Sequence, residues 1–207
     1  MAILSGGILG PVRKKVGNVV GSTWKGINVV RQMPAHVHNP NSEAQQEVRG
    51  KFRYASKLAS GVLDTIIKPF WDKQAVKMSG YNLLMKKQLE RWRDLEEPDI
   101  DSVMFSEGCN VSFRTEAFDA QDGLVQILLD IDSKCATPGV AQFVYLIAVN
   151  APNGAVVAVL SEDYTDLTLF KISCIPESRL DDVEFYAFIG NPSTGLMSET
   201  ARLSKNA

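Results

Sequence analysis

Hydrophobic positions change period twice along the 207-residue chain. The run VGNVVGSTWKGINVVRQMP (residues 16–34) alternates loosely, is rich in β-branched residues, and is punctuated by Gly17, Gly21 and Gly26. Such residues suit a pleated surface and glycine marks turns, so the pattern predicts a β-hairpin turning at Lys25-Gly26. After AHVHNPN the period becomes helical. Ser42 with Gln45 makes a capping-box pattern, and Val48, Phe52, Ala55, Leu58, Ala59, Val62, Leu63 and Ile66 form one apolar stripe. Pro69 predicts a break, followed by a short helix over Phe70–Val76. A third helix is expected over Tyr81–Trp92, capped by Ser79 and carrying Leu84, Met85, Leu89 and Trp92 on its apolar side.

DLEEPDIDS reads as an acidic linker, and beyond it the pattern turns to period two. Strands are expected at 103–106, 109–114, 123–132, 141–149, 155–160, 166–174, 182–189 and 195–203, separated by the turn sequences AQDG, ATPG, APNG and NPSTG. Short strands at this density, without a helical period, argue for an antiparallel sandwich of the immunoglobulin or fibronectin type III kind, although no Cys…Trp…Cys spacing supports an antibody-type domain. The expected fold is α+β. A Gly-rich β-arm or hairpin spans 1–41, a short helical region 42–97, and a β-sandwich 98–207.

Composition adds little until it is divided. Hydrophobic residues make up 45% and charged residues 22%, values typical of a globular protein. Mean hydropathy is −0.06, and no apolar stretch reaches membrane-span length. The net charge of −2 conceals an asymmetry. Residues 1–97 carry 16 Lys/Arg against 8 Asp/Glu (+8), whereas residues 98–207 carry 6 against 16 (−10). A two-stranded hairpin is marginal alone in water, so the arm is expected to lie on another surface of this protein or on a neighbouring subunit.

Candidate chemistry is sparse. The apolar N-terminus precedes Arg13, Lys14 and Lys15, the reverse of a secretory signal, so synthesis in a bacterial cytoplasm without a signal peptide is expected. Cys109, Cys135 and Cys174 show no metal-ligand spacing and are expected as reduced structural thiols. His36 and His38 lack further ligands nearby and read as loop histidines. The carboxylates Asp130, Asp132, Glu162, Asp163, Asp166, Asp181 and Asp182 form no calcium loop and read as a solvated rim. Neither GGILG nor VGNVVG has a phosphate-loop pattern. The expectation is a non-enzyme with no catalytic, cofactor or metal site.

The segments KVGNVVGSTWKGINVVRQMP, NPNSEAQQEVRGKF and AVKMSGYN resemble an uncharacterised Bacteroidota family, often phage- or prophage-associated, with a G-K-V-G…W-K-G…R…P N-terminal motif. The resemblance covers residues 8–85 and departs from the motif at Lys14-Lys15, where Gly-Lys is common. It implies no catalysis and a structural role in a virion or another assembly.

The function expected is therefore a structural subunit of a homo-oligomer, such as a phage capsid, head–tail or tail component. It would self-assemble through arm residues Val19, Val20, Trp24, Ile27, Val29 and Val30. Partners are other copies of the chain, in head-to-tail order if the basic half meets the next copy's acidic half, together with other virion proteins. One alternative is a surface- or carbohydrate-binding adhesin using loops near Pro138, Asn153 and Asn191. A second is a nucleic-acid-binding accessory protein using the basic patch Arg13, Lys14, Lys15, Lys25 and Arg31.

Overall fold

The computed structural model describes residues 2–3, 14–36, 41–121, 124–132, 142–173 and 180–205. The chain divides into two compact units, Met1–Gln45 and Gln46–Ala207. The first holds strands β1 (Ala2–Ile3), β2 (Lys14–Val16), β3 (Val19–Trp24) and β4 (Ile27–Gln32) in the antiparallel order β1-β4-β3-β2. The expected turn is present: Lys25 (φ 43°) and Gly26 (φ 81°) both adopt left-handed backbone, as a two-residue hairpin matched to strand twist requires. Lys14, at the position where the resembling family commonly has glycine, is also left-handed (φ 70°).

The second unit begins with a helical layer. Helix α1 (Glu43–Gly61) buries Ala55, Leu58 and Ala59, but Val48 and Phe52, expected on the same buried stripe, are exposed. The break expected at Pro69 does not occur there. A π-helix over Leu63–Trp71 carries Pro69 inside it. Its opening is marked by the Val62 carbonyl, which accepts from both Ile66 N and Ile67 N at 3.0 Å. Proline lacks an N–H and crowds the preceding turn of an α-helix, and the wider π-turn accommodates it. Ile66, Ile67, Phe70 and Trp71 are all buried. The short helix expected over Phe70–Val76 shrinks to α2 (Asp72–Gln74). Helix α3 (Gly80–Arg91) starts as predicted, with Ser79 Oγ accepting from Asn82 N at 3.2 Å.

Two antiparallel sheets follow. Strands β5 (Ser112–Gln121), β6 (Leu124–Asp132) and β9 (Leu167–Ser173) form a three-stranded sheet in the order β5-β6-β9. The other sheet contains β7 (Phe143–Asn150), β8 (Ala155–Asp163), β10 (Val183–Asn191), β11 (Leu196–Met197) and β12 (Ala201–Arg202). Its order is β11-β10-β7-β8, with β12 also paired to β10. Residues 103–106 are not a strand. Val103, Met104 and Phe105 are buried in an irregular segment whose amides are taken by side chains: Met104 N donates to Gln88 Oε1 (2.7 Å), and Phe105 N and Ser106 N donate to Thr200 Oγ1 (3.0 and 2.8 Å). The expected ATPG turn lies outside the described residues.

The architecture is α+β, as expected, but the second unit has three layers. One core joins Ile66, Phe70, Trp71, Trp92 and Phe105 to Tyr145, Ile147, Tyr186 and Phe188 on one face of β7 and β10. A second core joins Val144, Leu146, Phe185 and Ala187, on their other face, to Ile127, Leu129, Phe170 and Ile172 of the three-stranded sheet. Strands β7 and β10 are therefore apolar on both faces, whereas β6 and β9 alternate.

Candidate functional site

Register sorts the arm residues into two faces, because residues directly opposite in an antiparallel pair share a face. Trp24 pairs with Ile27, Val20 with Arg31 and Lys15, and Ser22 with Val29. Val20, Trp24, Ile27 and Val29 thus share one face with Lys15 and Arg31. Val19 and Val30 lie on the opposite face with Val16 and Lys14. Lys25 sits in the turn, and Arg13 lies outside the described residues. The six anchors and the basic patch read from sequence therefore interleave on one small sheet rather than forming separate surfaces. Little of the sheet is buried: Trp24 is 54% and Val16 62% exposed, and only Gly21 among residues 14–36 is fully covered. β2 pairs only with β3 among the described residues.

Part of the charge asymmetry is satisfied inside the second unit. Lys87 pairs with Glu107, and Arg91 with Glu199 at 3.6 Å, joining the basic helix α3 to the acidic C-terminal half. Lys73 Nζ donates to the Pro192 and Ser193 carbonyls. Arg202 bridges Asp101 and Glu184, and Lys205 also reaches Glu184 at 3.1 Å. The +8 and −10 halves therefore do not face solvent as two intact blocks.

Cys109 departs from expectation. It is exposed and disulfide-bonded, not a buried thiol, and it stands at an isolated bridge to Ser198. Cys135 and Cys174 lie outside the described residues. A cleft of about 370 Å³ opens beside Cys109, lined also by Gln74, Glu107, Gln142, Asn191 and Met197. Its titratable lining residues are already engaged, Glu107 by Lys87 and Cys109 by its disulfide. Asn191 Oδ1 is occupied by Ser193 N (2.8 Å) and Thr194 N (3.1 Å). The lining thus shows no nucleophile paired with a base among the described residues.

Among the described residues no three His, Cys, Asp or Glu side chains gather to hold a metal. His36 is exposed and His38 lies outside the described residues. No described helix is long and apolar enough to cross a membrane. The loops expected to make one binding end do not meet. Asn153 follows the Asn150 end of β7, which pairs with Val183, whereas Asn191 ends β10 where Gly190 pairs with Phe143. They sit at opposite ends of the sheet, and Pro138 lies outside the described residues.

Three buried or half-buried tyrosines have raised pKa values. Burial holds the Tyr186 phenol far above its ordinary value, and Tyr54 and Tyr145 are raised for the same reason. Their hydroxyls are structural: Tyr186 donates to the Ile100 carbonyl at 2.9 Å and Tyr54 to the Ala151 carbonyl at 2.8 Å.

Residues 11–92 match the model of a family of unknown function (DUF6266). The match takes in β2–β4 and the helical layer, and it agrees with the resemblance to an uncharacterised family. No curated protein matches the chain. Among solved structures, a domain of the outer membrane lipoprotein Omp28 from Porphyromonas gingivalis aligns over 49% of this chain and 97% of its own, at 11% identity and a TM-score of 0.36. OgpA from Akkermansia muciniphila aligns over 50% of this chain and 29% of its own, at 12% identity and a TM-score of 0.31. Likenesses this distant carry no inference about function.

Proposed function

We propose that this protein is a non-enzymatic structural subunit of a homomeric assembly, a component of a virion or a similar particle, which joins its neighbours through the N-terminal sheet. The observation that carries this reading is a sheet with almost no interior. The sheet belongs to a compact unit of its own, Met1–Gln45, and leaves Val16, Val19, Trp24 and Met33 exposed. A sheet this small gains too little from its own burial to stand as an end in itself, and an apolar surface on it serves contact. The edge of β2 away from β3, unpaired among the described residues, suits strand addition, in which backbone hydrogen bonds supply affinity and alternate side chains supply specificity. Lys14 and Lys15 on that edge would discourage pairing with unrelated strands. The two-sheet body, taken as immunoglobulin- or fibronectin-III-like in kind, is then the rigid platform. Synthesis in the cytoplasm would place disulfide formation at Cys109 after release into an oxidising medium.

The test is mass measurement by light scattering on the full chain and on a chain lacking residues 1–35. The full chain is expected to form a defined oligomer, and the truncated chain to keep its circular dichroism but run as a monomer at the same concentration. Unchanged assembly of the truncated chain would remove the arm from the mechanism.

A second reading, nucleic-acid contact, draws on one observation: Trp24 shares its face with Lys15 and Arg31. A stacking ring between cations suits single-stranded nucleic acid. Binding that falls steeply with salt and is lost in Trp24→Ala would favour it over self-assembly.

A further inference from the structure

Two exposed surfaces of the second unit are apolar, oppositely charged, and on opposite sides of the five-stranded sheet. The first is a flank of α1. Val48 and Phe52, one turn apart, are 63% and 53% exposed, and Arg49, Arg53, Ser56 and Lys57 line the same shallow depression. Arg49, Arg53 and Lys57 repeat at every fourth residue and so run as a row beside the apolar pair.

The second surface is the outer face of the three-stranded sheet. Leu167 and Leu169 of β9 are 57% and 46% exposed there. Leu169 pairs with Leu128 and Leu167 with Asp130, while Asp132 lies two residues further along the same face of β6. Asp166 immediately precedes β9, and Glu162 and Asp163 end β8 just before it. The same outer face carries Arg114 opposite Asp130, Lys171 opposite Gln126 and Asp119 on β5, with Glu116 exposed at the β5 bulge. At the Leu167 end the carboxylates Asp130, Asp132 and Asp166 outnumber the single guanidinium of Arg114, whereas Glu162 and Asp163 belong to the other sheet, opposite Val144 and Phe143.

The helical layer and the three-stranded sheet cover opposite faces of β7 and β10, so these two surfaces cannot meet within one copy. We propose that the α1 flank of one copy docks on the outer face of the three-stranded sheet of a second copy. Phe52 and Val48 would lie on Leu167 and Leu169, and the Arg49–Arg53–Lys57 row would face the carboxylates around Asp130 and Asp166. Charge complementarity selects a second copy as the occupant, because the chain itself carries the matching apolar and acidic surface. A contact between unlike surfaces is heterologous and propagates into a ring or a filament. The inference rests on the proposed self-assembly. It adds to arm docking, setting the order in which arm-joined copies stack, and does not replace it.

The experiment uses two full-length variants, each with one surface reversed: Arg49→Glu/Arg53→Glu/Lys57→Glu, and Asp130→Lys/Asp132→Lys/Asp166→Lys. Each alone should assemble about tenfold or more weaker than the parent chain in sedimentation velocity. An equimolar mixture should recover assembly, because each variant then offers the other a surface of opposite charge. The single variant Phe52→Asp should weaken assembly without any reversal of the row, and Trp24→Glu reports separately on the arm. If Trp24→Glu dissociates the parent assembly while both reversals leave it intact, the arm reading stands and the stacking contact is wrong. Weakening without recovery in the mixture also overturns it, as does loss of duplex DNA binding in the arginine-row variant with assembly unaltered. A parent chain that stays monomeric at high concentration overturns both readings.

Discussion

At the scale of single residues, buried polar partners decide what the structure tolerates. Thr200 Oγ1 accepts from Phe105 N and Ser106 N and shares a hydrogen bond with Ser106 Oγ at 2.8 Å. Thr200→Val keeps the shape and removes the acceptor, leaving both amides of a buried segment without it. The expected loss is about 2 kcal/mol or more, read from the urea midpoint. Gly190 makes a second case. A Cβ there would sit 2.7 Å from the ring of Phe70, which is fully buried. Gly190→Ala should therefore cost about 1–3 kcal/mol through overpacking, although alanine suits a strand better than glycine does. The role of Thr200 cannot be read from its neighbours in sequence, because its partners lie more than ninety residues away.

At the scale of elements, the π-helix shows packing prevailing over local preference. Pro69 marks a break in any reading of the chain by propensity, yet Phe70 and Trp71 continue the turn into the core. Trp71 Nε1 donates to the Phe105 carbonyl at 2.8 Å, and Phe70 meets Tyr145 and Phe188 edge-on at ring-centre distances of 5.4 and 5.8 Å. Pro69→Ala is accordingly expected to shift stability by less than about 1 kcal/mol, while Trp71→Phe, which leaves that carbonyl unpaired, should cost about 1–3 kcal/mol. Thermal unfolding of the two variants side by side checks the order. Helix α3 and the Lys25-Gly26 turn were legible because a cap and a turn are chemistry within four residues. The exposure of Val48 and Phe52 was not legible, because a periodic stripe shows which residues share a side of a helix and not how far along the helix the cover extends.

At the scale of the whole molecule, pH and oxidation are the levers. In the folded chain Tyr186, Tyr54 and Tyr145 hold their protons above the ordinary phenol value of 10.0. The unfolded chain releases those protons first as pH rises. The stabilising contribution is therefore complete below about pH 10 and declines above it, by up to about 1.4 kcal/mol per pH unit for each tyrosine still protonated in the folded state. Denaturation series on either side of about pH 10 should show this decline, and Tyr186→Phe should flatten it. Reducing the disulfide at Cys109 is expected to lower stability by about 2–4 kcal/mol. Peptide mapping without reductant should find Cys109 in a cross-linked peptide, and a free thiol there would contradict the structure. Assembly carried by the exposed charged surfaces should weaken as salt rises from about 0.05 to 0.5 M, since such pairs are screened.

Taken alone, the sequence determined what local chemistry can specify: the arm hairpin, the starts of α1 and α3, most strands of an α+β chain, and the unequal charge of its halves. Its runs AQFVYLIAV, DVEFYAFI and GLVQILLDID were legible as strands of a sandwich, and nothing in that reading separated strands covered on both faces from strands covered on one. Only the tertiary structure decided that the helices and the three-stranded sheet cover the two faces of β7 and β10. It also decided that Lys87 and Arg91 meet Glu107 and Glu199, that Cys109 is cross-linked, and that Asn153 and Asn191 stand at opposite ends of a sheet. The reason is physical: periodicity reports which way a side chain points relative to its own backbone, whereas burial, ion pairing and cross-linking depend on which distant segment arrives to meet it.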